Sequence, residues 1–380
     1  MTALFLRIVN MSIAASWLIL AVLVIRQLLR RAPKGIRAAL WGLVGIRLAL
    51  PFSLESVFSL IPSAETIHPE IMMDSSPAVD TGIAGLDRVV NPVMQAAFTP
   101  APEASANPLQ VLLPVLTGIW IVGMAAFAIY GAVSYVSLRR RVAAAIPVGD
   151  CIYQCEKAAS PFVLGLFRPR IYMPFHLTQE EREAVVAHER AHIARRDPWW
   201  KAAGFVLLAV HWFNPLVWLA YMLLCRDLEY ACDERVIREL EREKRADYCE
   251  ALLASSAQGR RFSAGPLAFG EVGVKARVKA VLNYKKPALW LSAAAIVLCL
   301  TAAACFLTDP LEETGAEEST NGNAAAQETL QEPERVTEES KETNPSLTGT
   351  QAQGSEEISG EYLLAVFAEY YGEENYTVTD

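Results

Sequence analysis

The chain has 380 residues, of which 53% are hydrophobic, a mean hydropathy of +0.24 and a net charge of −8. That apolar content argues against an ordinary soluble domain and fits a polytopic membrane protein. The charge divides sharply. Residues 309–380 hold eighteen acidic residues against Arg335 and Lys341, so they carry −16 and residues 1–308 carry +8, which places the two parts in different surroundings. The seven cysteines are odd in number and scattered. They read as reduced thiols rather than a disulfide framework.

The first apolar run, Leu4 to Leu29, is interrupted only by Arg7 and Arg26. It exceeds a signal-peptide core and no small-residue cleavage site follows it, so a retained span is expected. A second run, Ala38 to Leu54, contains Arg47 and is near the minimum spanning length; a third, Leu109 to Leu138, and a fourth, Ala288 to Leu307, are uncharged. Basic residues flank these runs on one side: Arg26, Arg30, Arg31, Lys34 and Arg37, then Arg139 to Arg141, then Lys275, Arg277, Lys279, Lys285 and Lys286. Residues 53–107 instead hold seven acidic residues and only Arg88. Basic loops stay in the cytoplasm, so the N-terminus is expected outside, residues 139–287 inside and the tail outside. The tail has too few apolar residues to fold and is expected to be largely disordered, apart from a possible short amphipathic helix at Glu361 to Asp380.

Within the cytoplasmic segment, Ser160 to Pro174 reads as strands with turns at Gly165 and Pro169. Such a strand either holds an extended substrate by backbone pairing or is purely structural. Thr178 and Glu181 form a capping box, so a helix should begin near Gln179 and stop near Arg196, ahead of Pro198. On that helix His188 and His192 lie one turn apart on one face. Two imidazoles so placed can reach a single tetrahedral zinc, and Glu189 between them can polarise water. A third ligand is needed. Downstream, Glu229 and Asp233 also lie four apart on a helical pattern, so Glu229 would complete a His-His-Glu set and Asp233 would hold a ligand imidazole by its other nitrogen. Cys232 points at a different helical angle.

Between these motifs Ala202 to Cys225 carries no charge and resembles a fifth span. A helix of that length would cover roughly 35 Å and separate the histidines from Glu229 by a bilayer. Asn214-Pro215 resolves this conflict, since Asn caps a helix and Pro suits its first turn. Two half-length helices forming a membrane-dipping hairpin are expected. His211 reads as a packed histidine, and Trp199, Trp200, Trp212 and Trp218 as interfacial anchors.

Taken together, these pieces resemble the signal-transducer metallopeptidases of the beta-lactam sensor type (BlaR/MecR-like). The resemblance rests on Ser160-Pro-Phe-Val-Leu-Gly-Leu to Pro174, His188-Glu-Arg-Ala-His192 with Arg195-Arg-Asp197, His211-Trp-Phe-Asn-Pro215 and Glu229-Tyr-Ala-Cys-Asp-Glu234, and extends over about residues 5 to 308. It implies a mainly α polytopic membrane protein of the bacterial cell membrane. Four transmembrane helices would carry a gluzincin-like α+β zinc peptidase domain between the third and fourth. The expected layout is spans one and two in 1–54, an extracellular loop 55–108, span three in 109–138, the peptidase domain 139–287 with its hairpin 202–225, span four in 288–308, and the tail 309–380. Zn2+ would be bound by His188, His192 and Glu229, with Glu189 as general base. The implied partners are the lipid bilayer and a cytoplasmic protein substrate, typically a DNA-binding repressor, with no direct nucleic-acid binding by the chain itself. A quality-control or processing protease of the same chemistry, or a non-catalytic relay, remain alternatives. The antibiotic sensors of this family carry a penicillin-binding domain after the fourth span. Here the tail has no Ser-x-x-Lys, Ser-Asp-Asn or Lys-Thr-Gly, so beta-lactam acylation is not expected.

Overall fold

The computed structural model describes residues 1–310 except 52, 53, 64, 75, 100–107, 159, 242, 243 and 260–272. The chain divides into two units, Met1–Thr314 and Gly315–Asp380. The second unit lies outside the described residues, as does the expected tail from residue 311 on with its terminal helix.

The first apolar run forms α1 (Thr2–Leu28), extended by a 3-10 turn at Leu29–Arg31. The second forms α2 (Lys34–Ala49), followed by β1 (Leu54–Glu55). After a 3-10 turn at Pro69–Met72 come α3 (Ala84–Phe98) and the long α4 (Pro108–Arg141). A small sheet follows: β2 (Ile146–Gly149), β3 (Ile152–Gln154), β4 (Phe162–Leu164) and β5 (Arg170–Met173). Then come α5 (Gln179–Arg195), α6 (Asp197–Val210), α7 (Pro215–Glu239), α8 (Lys244–Gly259), α9 (Val274–Leu282), α10 (Leu289–Phe306) and β6 (Thr308–Asp309).

Among the described residues, three helical stretches are long and apolar enough to cross a membrane: Thr2–Arg31, Pro108–Arg141 and Leu289–Phe306. The second apolar run falls short of that measure. It starts earlier than the hydropathy suggests and stops at Ala49, because Leu50 precedes Pro51 and is extended, as the residue before a proline prefers. Its 16 residues cover about 24 Å.

The main core joins Leu18, Ile19 and Val22 of α1, Leu40, Trp41 and Val44 of α2, Leu208 of α6, Val217, Leu224 and Leu228 of α7, and Ala295 of α10. Ion pairs reinforce it. Asp227 of α7, 1% exposed, accepts from Arg26 of α1 and from Arg37 and Trp41 of α2. Elsewhere β1 pairs with β6 in parallel, Leu54 opposite Thr308, and Arg47 bonds Asp309.

The uncharged stretch before Glu229 is broken into a hairpin. The chain leaves α6 at His211 and re-enters α7 at Pro215, where the Asn214 side chain caps the Leu216 amide at 2.9 Å. The Asn214 amide nitrogen donates to Ser12 and Ser16 hydroxyls on α1 at 2.8 and 2.9 Å. His211 is fully buried with Nε2 3.2 Å from the Leu48 carbonyl, which makes it a packing histidine at the hairpin tip.

The sheet order is β2-β3-β5-β4, antiparallel except for β3 with β5, so β4 is an edge. Successive side chains of β5 point to opposite faces. Ile171 and Met173 pack with Val185 of α5, while Tyr172 packs with Val142, Cys155 and Ala158. The turn out of β4 depends on Gly165 at φ +107, where a Cβ would meet the Arg168 carbonyl oxygen at 2.6 Å.

Candidate metal centre

The site is assembled where α5 crosses α7. The capping box at the start of α5 is formed in both directions: Thr178 Oγ1 accepts from the Glu181 amide and Glu181 from the Thr178 amide. Capping fixes the start of the helix, and ten residues later His188, Glu189 and His192 are all buried. On α7, Asp227 faces α1 and α2 while Glu229, two residues on and so across the helix, faces the histidines. Glu229 lies 3.5 Å from His188 Nε2 and 3.6 Å from His192 Nε2.

The two Nε2 atoms are 3.1 Å apart with the rings nearly perpendicular. One donor atom from each of His188, His192 and Glu229 lies within 4.8 Å of the others, and all three residues are buried. Converging imidazole nitrogens with a carboxylate at their side suit a cation, and the mixed nitrogen and oxygen set fits zinc or a similar divalent ion. The residues present therefore fit a metal.

Each imidazole is oriented through its other nitrogen. His192 Nδ1 bonds Asp197 Oδ2 at 2.8 Å. That contact exists because Arg196 adopts the left-handed conformation, φ 60, ending α5 and starting α6 immediately with Asp197 turned back beneath the histidine. Cys232 Sγ completes this group, 3.0 Å from Asp197 and 3.1 Å from His192 Nδ1. His192, Asp197 and Cys232 thus form a second cluster of metal-type donors, but their distances are those of hydrogen bonds. His188 Nδ1 is 2.9 Å from the Tyr248 hydroxyl, which donates to Asp233 Oδ1 at 2.8 Å. The sequence expectation is that Asp233 holds a ligand imidazole by its second nitrogen, which here is His188 Nδ1. Asp233 lies 3.4 Å from that atom, and Tyr248 makes the closer contact.

Two cations close the site. Lys201 Nζ is 3.0 Å from Glu229, and Arg277 Nη1 is 3.3 Å from it on the other carboxylate oxygen. Arg277 is gripped in a fork by Asp233, Nε to Oδ2 at 2.8 Å and Nη2 to Oδ1 at 2.7 Å. Burial pushes the Glu229 carboxyl up, yet Lys201, His192 and Arg277 together hold it well below the usual carboxylate range. Burial pulls His192 down, but Glu229, Cys232 and the Asp197 hydrogen bond carry it well above the ordinary histidine value. Burial drives the Cys232 thiol up to about 12, so it stays protonated and donates to Asp197.

The structure brings His188, His192, Glu229 and Asp233 together, and Glu189 is buried on α5 between the two histidines. Four further participants, Asp197, Lys201, Tyr248 and Arg277, were not singled out for the site from sequence. For Asp197 a signal existed, an acid just past the helix stop and five residues after His192. For Tyr248 none did. Arg277 belongs to a basic run, Lys275 to Lys286, whose local pattern is that of a cytoplasmic flank to the last apolar helix.

The family model for BlaR1 peptidase M56 matches residues 6–281. The Regulatory protein BlaR1 of Bacillus licheniformis is 28% identical over 159 residues, 40% of this chain and 26% of that protein. The Methicillin resistance mecR1 proteins of Staphylococcus aureus and Staphylococcus epidermidis are 28% identical over 101 residues, 26% of this chain and 17% of theirs. The matched segments thus span about a quarter or less of the length of these relatives.

Proposed function

The chain belongs to the BlaR1 peptidase M56 family, and on that basis we propose that it is a membrane-embedded zinc endopeptidase acting in transmembrane signalling. The observation that carries this reading is the convergence of His188, His192 and Glu229 from two different helices onto one buried point. These three residues would hold the zinc. The chemistry such an ion supplies when bound is Lewis acidity towards water and the scissile carbonyl.

The chain's own residues supply the rest. Glu189 lies between the two histidines on α5 and is buried; it takes the proton of the attacking water and passes it to the departing amine nitrogen. Asp197 and the Tyr248–Asp233 pair lock the two imidazoles in one tautomer and orientation. Arg277, anchored by Asp233, presents a fixed positive charge where negative charge develops on the substrate oxygen. The free edge of β4, packed on α5, offers backbone groups to an extended peptide. The physiological substrate in this reading is a cytoplasmic protein, in keeping with the regulatory relatives a transcriptional repressor.

The proposed membrane layout is supported by contacts between segments that share a side in it. Leu6, Ile71, Leu109 and Leu113 cluster together, and residues 54–55 pair with 308–309. Arg26 and Arg37 meet Asp227 at the opposite ends of α1 and α2. A crossing between Arg37 and Leu54 fits both sets of contacts, and α2 is then a short fourth span beside α1, α4 and α10. The hairpin tip touches Ser12 and Ser16, well inside α1, which supports α6 and α7 dipping into the bilayer and returning. Arginines at the other ends support a cytoplasmic peptidase, with residues 309–380 outside in this reading.

The test is metal content and casein cleavage of detergent-purified protein. Wild type should carry about one zinc per chain, and His188→Ala or His192→Ala should lose it. Glu189→Gln should keep the zinc and lose cleavage. Full proteolysis by Glu189→Gln would sink the mechanism.

A further inference from the structure

Away from the metal centre, the structure contains an open groove of about 570 Å³ at the end of α4, lined by Ala132, Val133, Val136, Ser137, Arg140, Arg141 and Lys157. The α4 members recur one turn apart and so form a single stripe along the helix. The upper part of the stripe is apolar and outward-facing, with Val133 61% and Val136 45% exposed. Its lower part is cationic, and Lys157 reaches it from the loop after β3, giving three positive side chains around one opening. Among the described residues none of Arg140, Arg141 and Lys157 makes an ion pair.

A surface that is apolar on one side and cationic at its end, on a helix that crosses a bilayer, matches an amphiphilic anion. We propose that this groove is a binding site for one anionic phospholipid, with acyl chain along Ala132, Val133 and Val136 and headgroup phosphate among Arg140, Arg141 and Lys157. Basic recesses at the ends of spans hold phosphorylated headgroups in this way. Two alternatives fit less well. A soluble phosphate makes no use of the valines, and a neutral lipid leaves three cations uncompensated. The position matters for the rest of the molecule. Val142, just past the groove, packs with Cys155, Ala158 and Tyr172, and Cys155 Sγ bonds the Arg141 carbonyl. A lipid held between Arg140 and Lys157 therefore braces the joint between the span and the sheet that carries β4. The proposal rests on α4 spanning the bilayer, and is independent of the peptidase chemistry.

The experiment is native mass spectrometry of delipidated protein reconstituted into nanodiscs with phosphatidylglycerol or phosphatidylcholine. Wild type should retain one phosphatidylglycerol per chain and no phosphatidylcholine. The pair Arg140→Gln with Lys157→Gln should weaken retention about tenfold or more, given the electrostatic attraction of each cation at a membrane surface. Val136→Trp, which fills the apolar half and leaves the charges, should weaken it as well. Arg139→Gln, at the same helix end but outside the groove, should stay within about twofold of wild type. Equal retention of the two lipids, an Arg139→Gln loss as large as that of the pair, or displacement by millimolar inorganic phosphate would each overturn the proposal. A compartment reporter fused after Arg141 that reports outside would instead refute the orientation of α4 on which it rests.

Discussion

Replacing Asp197 should weaken metal binding although Asp197 is not among the three ligands. The carboxylate is 1% exposed, and its Oδ2 accepts from His192 Nδ1 at 2.8 Å, from Cys232 Sγ at 3.0 Å and from Arg195 Nε at 3.3 Å. Asp197→Asn keeps the shape and one acceptor oxygen but removes the negative charge that makes His192 a basic ligand. Losses of this kind cost about 10–100-fold in metal affinity, or about 1.4–2.7 kcal/mol. Asp197→Ala goes further. It leaves the buried His192 N–H and Cys232 S–H without an acceptor, at about 1–3 kcal/mol for each unsatisfied group, so it should also lower the stability of the metal-free protein. The assay is competition for zinc against a chromogenic chelator in detergent, with thermal unfolding of the stripped protein measured alongside. The expected order of affinity is wild type, then Asn, then Ala. An Asn variant binding zinc as tightly as wild type would show that the short His192–Asp197 contact does not tune the ligand.

Three further outcomes are expected. Asp227→Ala should destabilise the protein by about 3–5 kcal/mol, because it strands Arg26 and Arg37 in a buried setting; chemical unfolding in detergent measures it, and an unshifted midpoint would contradict the buried network joining α1, α2 and α7. Compartment reporters fused after Arg195 and after Gln258 should both report cytoplasm, and one after Gly315 should report outside; an external signal at Gln258 would make α6 and α7 a true crossing and break the metal geometry. A fluorescent penicillin should leave the chain unlabelled, since residues 309–380 lack the acylating serine motifs; a labelled serine there would show a sensor site that those motifs do not describe.

The sequence by itself determined what depends on near neighbours. Thr178 and Glu181 marked the start of α5, the spacing of His188 and His192 put them on one face, and Asn214-Pro215 marked the break between α6 and α7. Gly165 and Pro169 likewise bracketed the turn between β4 and β5. Each of these is decided within one or two turns of backbone, by capping, helical period or a restricted dihedral, so each leaves a local signature. The length of α2 was only partly legible, because hydropathy continues through Leu54 while Pro51 ends the helix. Tertiary structure decided the surroundings of the metal ligands. Tyr248 comes to His188 from sixty residues away, and Arg277 reaches Asp233 across forty-four. Nothing in the local pattern of either residue distinguishes it from a core tyrosine or a cytoplasmic flanking charge. Asp197 shows the boundary between the two regimes, since only the left-handed turn at Arg196 brings it under His192. A carboxylate or guanidinium has the same intrinsic chemistry wherever it stands. Its role is set by the few ångströms that separate it from its partners after the chain has folded, and those distances are products of the packing of α5, α7, α8 and α9 rather than of any one segment.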